Sequence, residues 1–126
     1  MWGCRRLVMD DQRFRRHQHV RQRSQFQLIY ERGRKHQGRF LIVFTLDRGD
    51  NEAPRLGIAA TRKLGIAVER NRARRLVREL FRRHPAPPGY DIVVIPRRSI
   101  FDASFSSLEA EYVAIIGRLR PRARAR

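Results

Sequence analysis

Residues 70–84 read RNRARRLVRELFRRH, and no other stretch restricts the fold as much. On a helix, Ala73, Leu76, Val77, Leu80 and Phe81 fall at i, i+3, i+4, i+7 and i+8 and form one apolar stripe. The other faces are almost entirely guanidinium: Arg70, Arg72, Arg74, Arg75, Arg78, Arg82 and Arg83, with Glu79 the one acid in the run. Such a helix must lay its stripe on a core supplied by other elements and leave a cationic surface outside. Arg70 and Arg72 would stand near the positive end of the helix dipole, where an acid is preferred. Phosphates of a polyanion would supply the missing negative charge. A solvated charged face is the competing explanation; the partner inferred is structured RNA.

The charge balance points the same way. The 126 residues suffice for one domain with a modest core. The chain has 29 basic side chains, only Lys35 and Lys63 being lysine, against 12 acidic ones, for a net charge of +17. Self-repulsion on that scale disfavours a compact monomer without a counter-charge. Arginine rather than lysine suits bidentate phosphate recognition and stacking on bases. Charge alone does not separate nucleic acid from a membrane surface, but no apolar run of about 18 residues offers a membrane span. The opening MWGCRRLVMDD has neither the apolar core nor the cleavage site of a secretory signal. Cys4 is the single cysteine, so no internal disulfide forms and a reducing cytoplasm is expected.

Along the chain, residues 1–20 read as a basic arm, 21–119 as the folded domain and 120–126 as a basic tail. Ser24 reads as the N-cap of a short helix closed by Gly33 in the C′ position, with Phe26, Ile29 and Tyr30 on one face. Residues 40–46 (FLIVFTL) form a largely buried strand and 47–54 a polar loop. A second strand at 55–61 has small residues that admit close backbone approach. A connection containing Gly65 leads to the arginine helix, which Pro85, Pro87, Pro88 and Gly89 terminate. A third strand follows at 90–95. Ser106 and Glu109 have capping-box spacing before a last helix with Phe105, Leu108, Tyr112, Ile115, Ile116 and Leu119 on one face. Helices interspersed with strands imply helices packed on a sheet.

No residue set suggests chemistry carried by the protein itself, so neither a catalytic residue nor a metal site is expected. His17 and His19 do not share a helical face and no further ligands complete a site. Asp47, Asp50 and Glu52 match no calcium loop. There is no nucleophile elbow or P-loop, and no helix-turn-helix pattern recommends DNA. A structural RNA-binding protein or RNA chaperone shares the charge and fold style; a stand-alone nuclease would need an acid/base or metal constellation.

The run GIAATRKLGIAVERNRARR at 57–75 resembles the signature of the bacterial ribonuclease P protein component: a small-residue strand, a basic pair, a glycine turn, then Arg-Asn-Arg opening a basic helix. RQRSQF at 21–26, Tyr30, Gly33, Gly38-Arg39 and PPGYDIVVI at 87–95 follow the family's order and spacing, so that the resemblance spans residues 14–118. It implies an α+β fold, a two-layer α/β sandwich of αβββαβα topology with a left-handed βαβ crossover, and hence a weaker fourth strand near 35–39. It also implies a protein that joins a catalytic RNA to remove the 5′ leader of precursor tRNA, with Mg2+ held by the RNA. By motif match, Arg70, Asn71, Arg72, Arg74, Arg75 and Arg78, with Arg62 and Lys63, contact the catalytic RNA; Asn71 could hydrogen-bond there or cap the helix. Phe26, Tyr30 and Phe44 match aromatic positions of a cleft for the single-stranded leader, where stacking tolerates many sequences. By spacing alone, aromatics on a helix beside a sheet are more often core, and Phe44 in a strand could face either way. Arg21 and Arg23 belong to the leader-binding set by the same match, and Arg97 and Arg98, after the last strand, edge the cleft by a looser one. Neither membrane nor DNA is an expected partner. Ala59-Ala60 and Arg62-Lys63 depart from the family's usual serine-valine and lysine pair, and Glu69 places an acid where phosphate would be repelled.

Overall fold

The computed structural model describes Val20 and residues 23–119. In chain order these form α1 (Arg23–Arg32), β1 (Arg34–Gln37), β2 (Leu41–Asp47), β3 (Arg55–Ile58), α2 (Ala67–Arg83), β4 (Tyr90–Pro96), a 3-10 turn (Arg98–Asp102) and α3 (Phe105–Ile116), an αβββαβα order. Arg21, Cys4, His17, His19, the rest of the expected arm apart from Val20, and the 120–126 tail lie outside the described residues; Val20 belongs to the folded part, buried and with its N–H donating to the Leu56 carbonyl at 2.9 Å.

The four strands make one sheet in the order β1-β2-β4-β3. β2 is antiparallel to β1 and β4, whereas β3 and β4 run parallel with α2 as their crossover. β2 shows why its sequence lacks clean alternation. Leu41, Val43 and Thr45 point to a fully dry side and are buried, while Ile42, Phe44 and Leu46 point the other way and are half-buried. Both faces are covered, so both demand apolar residues. On the dry side Leu41, Val43, Leu56, Ile92 and Val94 meet Ala73, Val77, Leu80 and Phe81 of α2 and Leu108, Tyr112, Ile115 and Ile116 of α3. On the other side α1 forms a smaller layer, with Val20, Ile29 and Val93 packed among Phe26, Phe44, Leu46 and Ile95. β1 (RKHQ) has no apolar residue, and its inward side chain is His36, buried against the Thr45 hydroxyl at 3.2 Å.

Several local expectations shift. α2 begins at Ala67 rather than residue 70, because the Glu69 carboxylate accepts the Ile66 N–H at 3.0 Å and satisfies an orphan donor of the first turn. The first turn therefore holds an acid, and the dipole violation expected at Arg70 and Arg72 is absent. Ser24 lies inside α1 rather than capping it. Gly33 does not take up a left-handed backbone, which is confined to Gly49, Gly65 and Gly89 among the described residues. It is needed because β2 passes close by: a Cβ at 33 would lie 2.8 Å from the Thr45 carbonyl oxygen. α3 is capped by Ser104, whose hydroxyl accepts from the Ser107 N–H at 3.1 Å, and not by Ser106; Glu109 instead meets His84 at 2.8 Å.

Candidate nucleic-acid interface

The apolar stripe of α2 docks as its spacing requires: Ala73, Val77 and Leu80 have no exposed surface, Phe81 is buried and Leu76 partly so. That fixes which way the arginines point. Arg72, Arg75, Arg78, Arg82 and Arg83 are exposed, Arg70 and Arg74 half-buried. Arg70 Nη1 donates to the Gly65 carbonyl at 2.9 Å, Arg74 Nη1 donates to Asn71 Oδ1 at 3.0 Å, and the Arg72 guanidinium lies 5.7 Å from the centre of the Phe101 ring. Asn71 sits in the second turn and so does not cap the helix. Arg75 and Arg78 have no hydrogen bond or ion pair within the protein among the described residues. Burial, and then the neighbouring Arg74 and Arg75, lower the pKa of Arg78.

The end of α2 is different. Glu79 accepts from Arg82 Nε at 3.2 Å and from Arg83 Nε at 2.7 Å, and these bonds hold its carboxyl at about 2. Arg83 also reaches Glu109 at 3.7 Å and lies 5.1 Å from the Phe105 ring centre, while His84 Nε2 meets Glu109 at 2.8 Å. Just before α2, Arg62 and Lys63 are exposed and Leu64 is buried.

The three aromatic candidates come together on the opposite face of the sheet, beside α1. Phe26 and Tyr30 have ring centres 6.3 Å apart, and Tyr30 meets Phe44 edge-on at 4.9 Å and 70°. Phe26 and Phe44 are half-buried against the small α1 core, whereas Tyr30 is 38% exposed. The row is thus neither wholly core nor wholly free: its inner edges pack and its outer edge is open. Gly57 makes room for it, since a Cβ there would lie 2.9 Å from both the Phe26 ring and Val20. This is the close approach that the small residues of β3 permit. Lys35 Nζ lies 6.0 Å from the Phe44 ring centre, and burial raises the Tyr30 pKa. Arg23 is exposed on α1. Arg97 is tied to the β1–β2 turn, its Nη1 donating to the Gly38 carbonyl at 3.1 Å. Arg98 does not edge the aromatic row; its Nη1 donates to the Leu64 carbonyl at 2.7 Å, in the turn before α2.

Two acids that hold this scaffold together escape a reading by periodicity. Glu111 of α3 accepts the N–H groups of Arg39, Phe40 and Leu41 at 2.8, 3.0 and 2.9 Å, and a Cβ at Gly38 would overlap its carboxylate. Asp91, buried in β4, accepts from Arg48 Nη1 at 2.7 Å and Arg55 Nε at 2.8 Å. The only signal for Asp91 was an acid interrupting an apolar strand; Glu111 left none. Among the described residues, no group of three or more His, Cys, Asp or Glu is gathered as metal ligands. Nor is any helix long and apolar enough to cross a membrane.

A helix with an uncompensated cationic flank, set on an α+β sheet whose other face carries a half-open ring row, defines a small protein built to meet a polyanion. The family model described as Ribonuclease P matches residues 14–120. The chain is 32% identical over 108 residues to the ribonuclease P protein component of Clostridioides difficile, covering 83% of this chain and 94% of that one. It is 42% identical over 89 residues to the Thermotoga maritima component, covering 69% and 75%. The solved RNase P protein from Thermotoga maritima superposes with a TM-score of 0.72 at 34% identity, over 81% of this chain and 97% of that one. That of Staphylococcus aureus gives 0.71 at 29%, over 80% and 94%. The chain belongs to the ribonuclease P protein component family, and so to the protein-subunit side of a tRNA-processing ribonuclease.

Proposed function

We propose that the protein binds the catalytic RNA of ribonuclease P together with the 5′ leader of precursor tRNA, and so promotes endonucleolytic removal of the leader in the cytoplasm. The observation that carries this is the flank of arginines from Arg72 to Arg78 of α2 that meets no acid among the described residues, in a chain of this family. Arg62, Lys63, Arg72, Arg75 and Arg78 offer guanidinium and ammonium groups to phosphates of the catalytic RNA, with Asn71, Arg70 and Arg74 beside them. On the opposite face Tyr30, Phe26 and Phe44 present ring edges to unpaired leader bases. Arg23 and Arg97 serve as cations for the leader backbone, and Arg21 belongs to the same set by motif match. The hydrolysis is chemistry supplied by Mg2+ held in the RNA. The protein's residues bind, orient and lower the repulsion between two RNAs. Each neutralised phosphate contributes a log–log salt slope of about −0.7 to −0.9.

The test is cleavage of precursor tRNA at low magnesium by the protein alone, by a bacterial ribonuclease P RNA alone, and by the two together. Cleavage at the mature 5′ end that is greatly enhanced in the mixture is the expected result. Tight RNA binding without enhancement would reduce the protein to a general RNA binder, and cleavage by the protein alone would place the chemistry in the chain.

A further inference from the structure

The turn entering α2 is tied by a set of backbone and side-chain hydrogen bonds. Leu64 N–H donates to the Thr61 carbonyl at 2.9 Å, Gly65 N–H to that of Arg62 at 3.2 Å, and Arg70 N–H to that of Ile66 at 2.9 Å. The Ile66 N–H is held by Glu69 at 3.0 Å. Two arginines close further carbonyls: Arg98 takes Leu64 at 2.7 Å and Arg70 takes Gly65 at 2.9 Å. Gly65 has a φ of 152°, and a Cβ there would strike the Glu69 carboxylate, so a side chain at that position would displace the acid. Leu64 is anchored in the core, which leaves Arg62 and Lys63 as the outward side chains.

Arg62 and Lys63 are exposed on this turn, where their side chains are placed to reach a phosphate. Arg98 reaches the turn from the 3-10 segment after β4, 34 positions away in sequence, and Phe101 of the same segment lies against Arg72. One short segment therefore touches both the turn and the first half of α2. We propose that Arg70 and Arg98 are positioning residues: they lock the 61–66 turn in one shape before RNA arrives, and Arg62 and Lys63 make the phosphate contacts there. This rests on the RNA-binding function proposed above and reassigns Arg70, which the motif alone places among the RNA contacts. A preformed turn loses less conformational freedom on binding.

Salt dependence separates the two roles. A side chain on a phosphate contributes to the number of counterions released, whereas one that shapes the turn changes affinity at every salt concentration alike. Binding of a bacterial ribonuclease P RNA would be measured across a salt series for Arg62→Gln, Arg75→Gln, Arg70→Gln and Arg98→Gln. The slope should flatten by about 0.7–0.9 for Arg62→Gln and Arg75→Gln. Arg70→Gln and Arg98→Gln should instead give weaker lines parallel to that of the unaltered protein. Flattening by the same amount in Arg70→Gln and Arg98→Gln would overturn the proposal. Amide hydrogen exchange on the free protein gives a second readout that needs no RNA. Arg98→Gln should speed exchange at Leu64, Gly65 and Ile66 while sparing the β2–β4 amides, and Arg62→Gln should leave all of them unchanged. Unaltered exchange at 64–66 in Arg98→Gln would also overturn the lock. If no variant alters RNA binding while exchange responds as expected, the RNA-binding function fails and the lock stands.

Discussion

Arg75 and Arg78, in the middle of α2, face no acid among the described residues, whereas Arg82 and Arg83 at its end both lie on Glu79. The side chains are chemically identical and share one helix, so composition does not separate them. What separates them is placement: Glu79 lies three and four residues before its partners, the spacing at which helix side chains meet, and Glu109 closes in from α3. The end of the helix pairs its charge with Glu79 and Glu109 and so helps join α2 to α3. The arginines from Arg72 to Arg78 meet no acid among the described residues, and burial, then the neighbouring Arg74 and Arg75, lower the pKa of Arg78.

The strongest way to break this contrast is to remove one side at a time. Arg75→Ala and Arg78→Ala should each weaken binding to a bacterial ribonuclease P RNA by about 1–3 kcal/mol, as for a lost charge-assisted contact. Arg82→Ala and Arg83→Ala should change it far less; equal losses for both pairs in a titration would abolish the distinction. Tyr30→Ala probes the other face of the sheet. It should weaken binding of precursor tRNA carrying a leader by about 1–3 kcal/mol, the scale of one stacked base. Affinity for the catalytic RNA should stay within about twofold, since α2 lies across the sheet. Parallel losses for both RNAs would join the two surfaces into one.

Smaller effects sharpen the comparison. Glu79→Gln removes the acid that Arg82 and Arg83 share, so affinity for the catalytic RNA should rise about two- to fivefold, in keeping with exposed ion pairs of roughly 0.2–1 kcal/mol. An unchanged affinity would mean that the end of α2 points away from RNA for a reason other than neutralisation. The least effect is on acid stability. Glu79 titrates at about 2, below its ordinary 4.5, so the folded state binds fewer protons than the unfolded one. Its contribution is therefore present above pH 4.5 and is lost as the pH falls toward 2. Melting curves over that range should fall more gently for Glu79→Gln than for the unaltered chain; superimposable curves would show that the pair adds nothing to folding.

Much of the fold was legible because its signals are local. The stripe of α2 repeats at helical spacing, the run YDIVVI at 90–95 reads as a buried strand, and the Arg-Asn-Arg signature marks the family. β1 was legible only through the resemblance, since its four residues RKHQ carry no apolar signal and its inward side chain is a histidine held by Thr45. The start of α2 was misplaced because Glu69 looked like a repulsive charge beside phosphate, when it closes the helix entry. The aromatic row was ambiguous for a physical reason: Phe26 and Phe44 pack on one edge and open on the other, and periodicity reports a face rather than the depth of a ring within it.

By itself, the sequence determined the cationic helix, the apolar sides of the strands and the family, because each is written in neighbours a few residues apart. Only the tertiary structure decided which arginines are neutralised, which pin a turn and which stay free. Arg98 meets Leu64 from 34 positions away and Glu111 clamps the β1–β2 turn from about 70, and such pairs exist only once the sheet has brought them together. A guanidinium carries the same charge in every sequence context; its partner is set by packing.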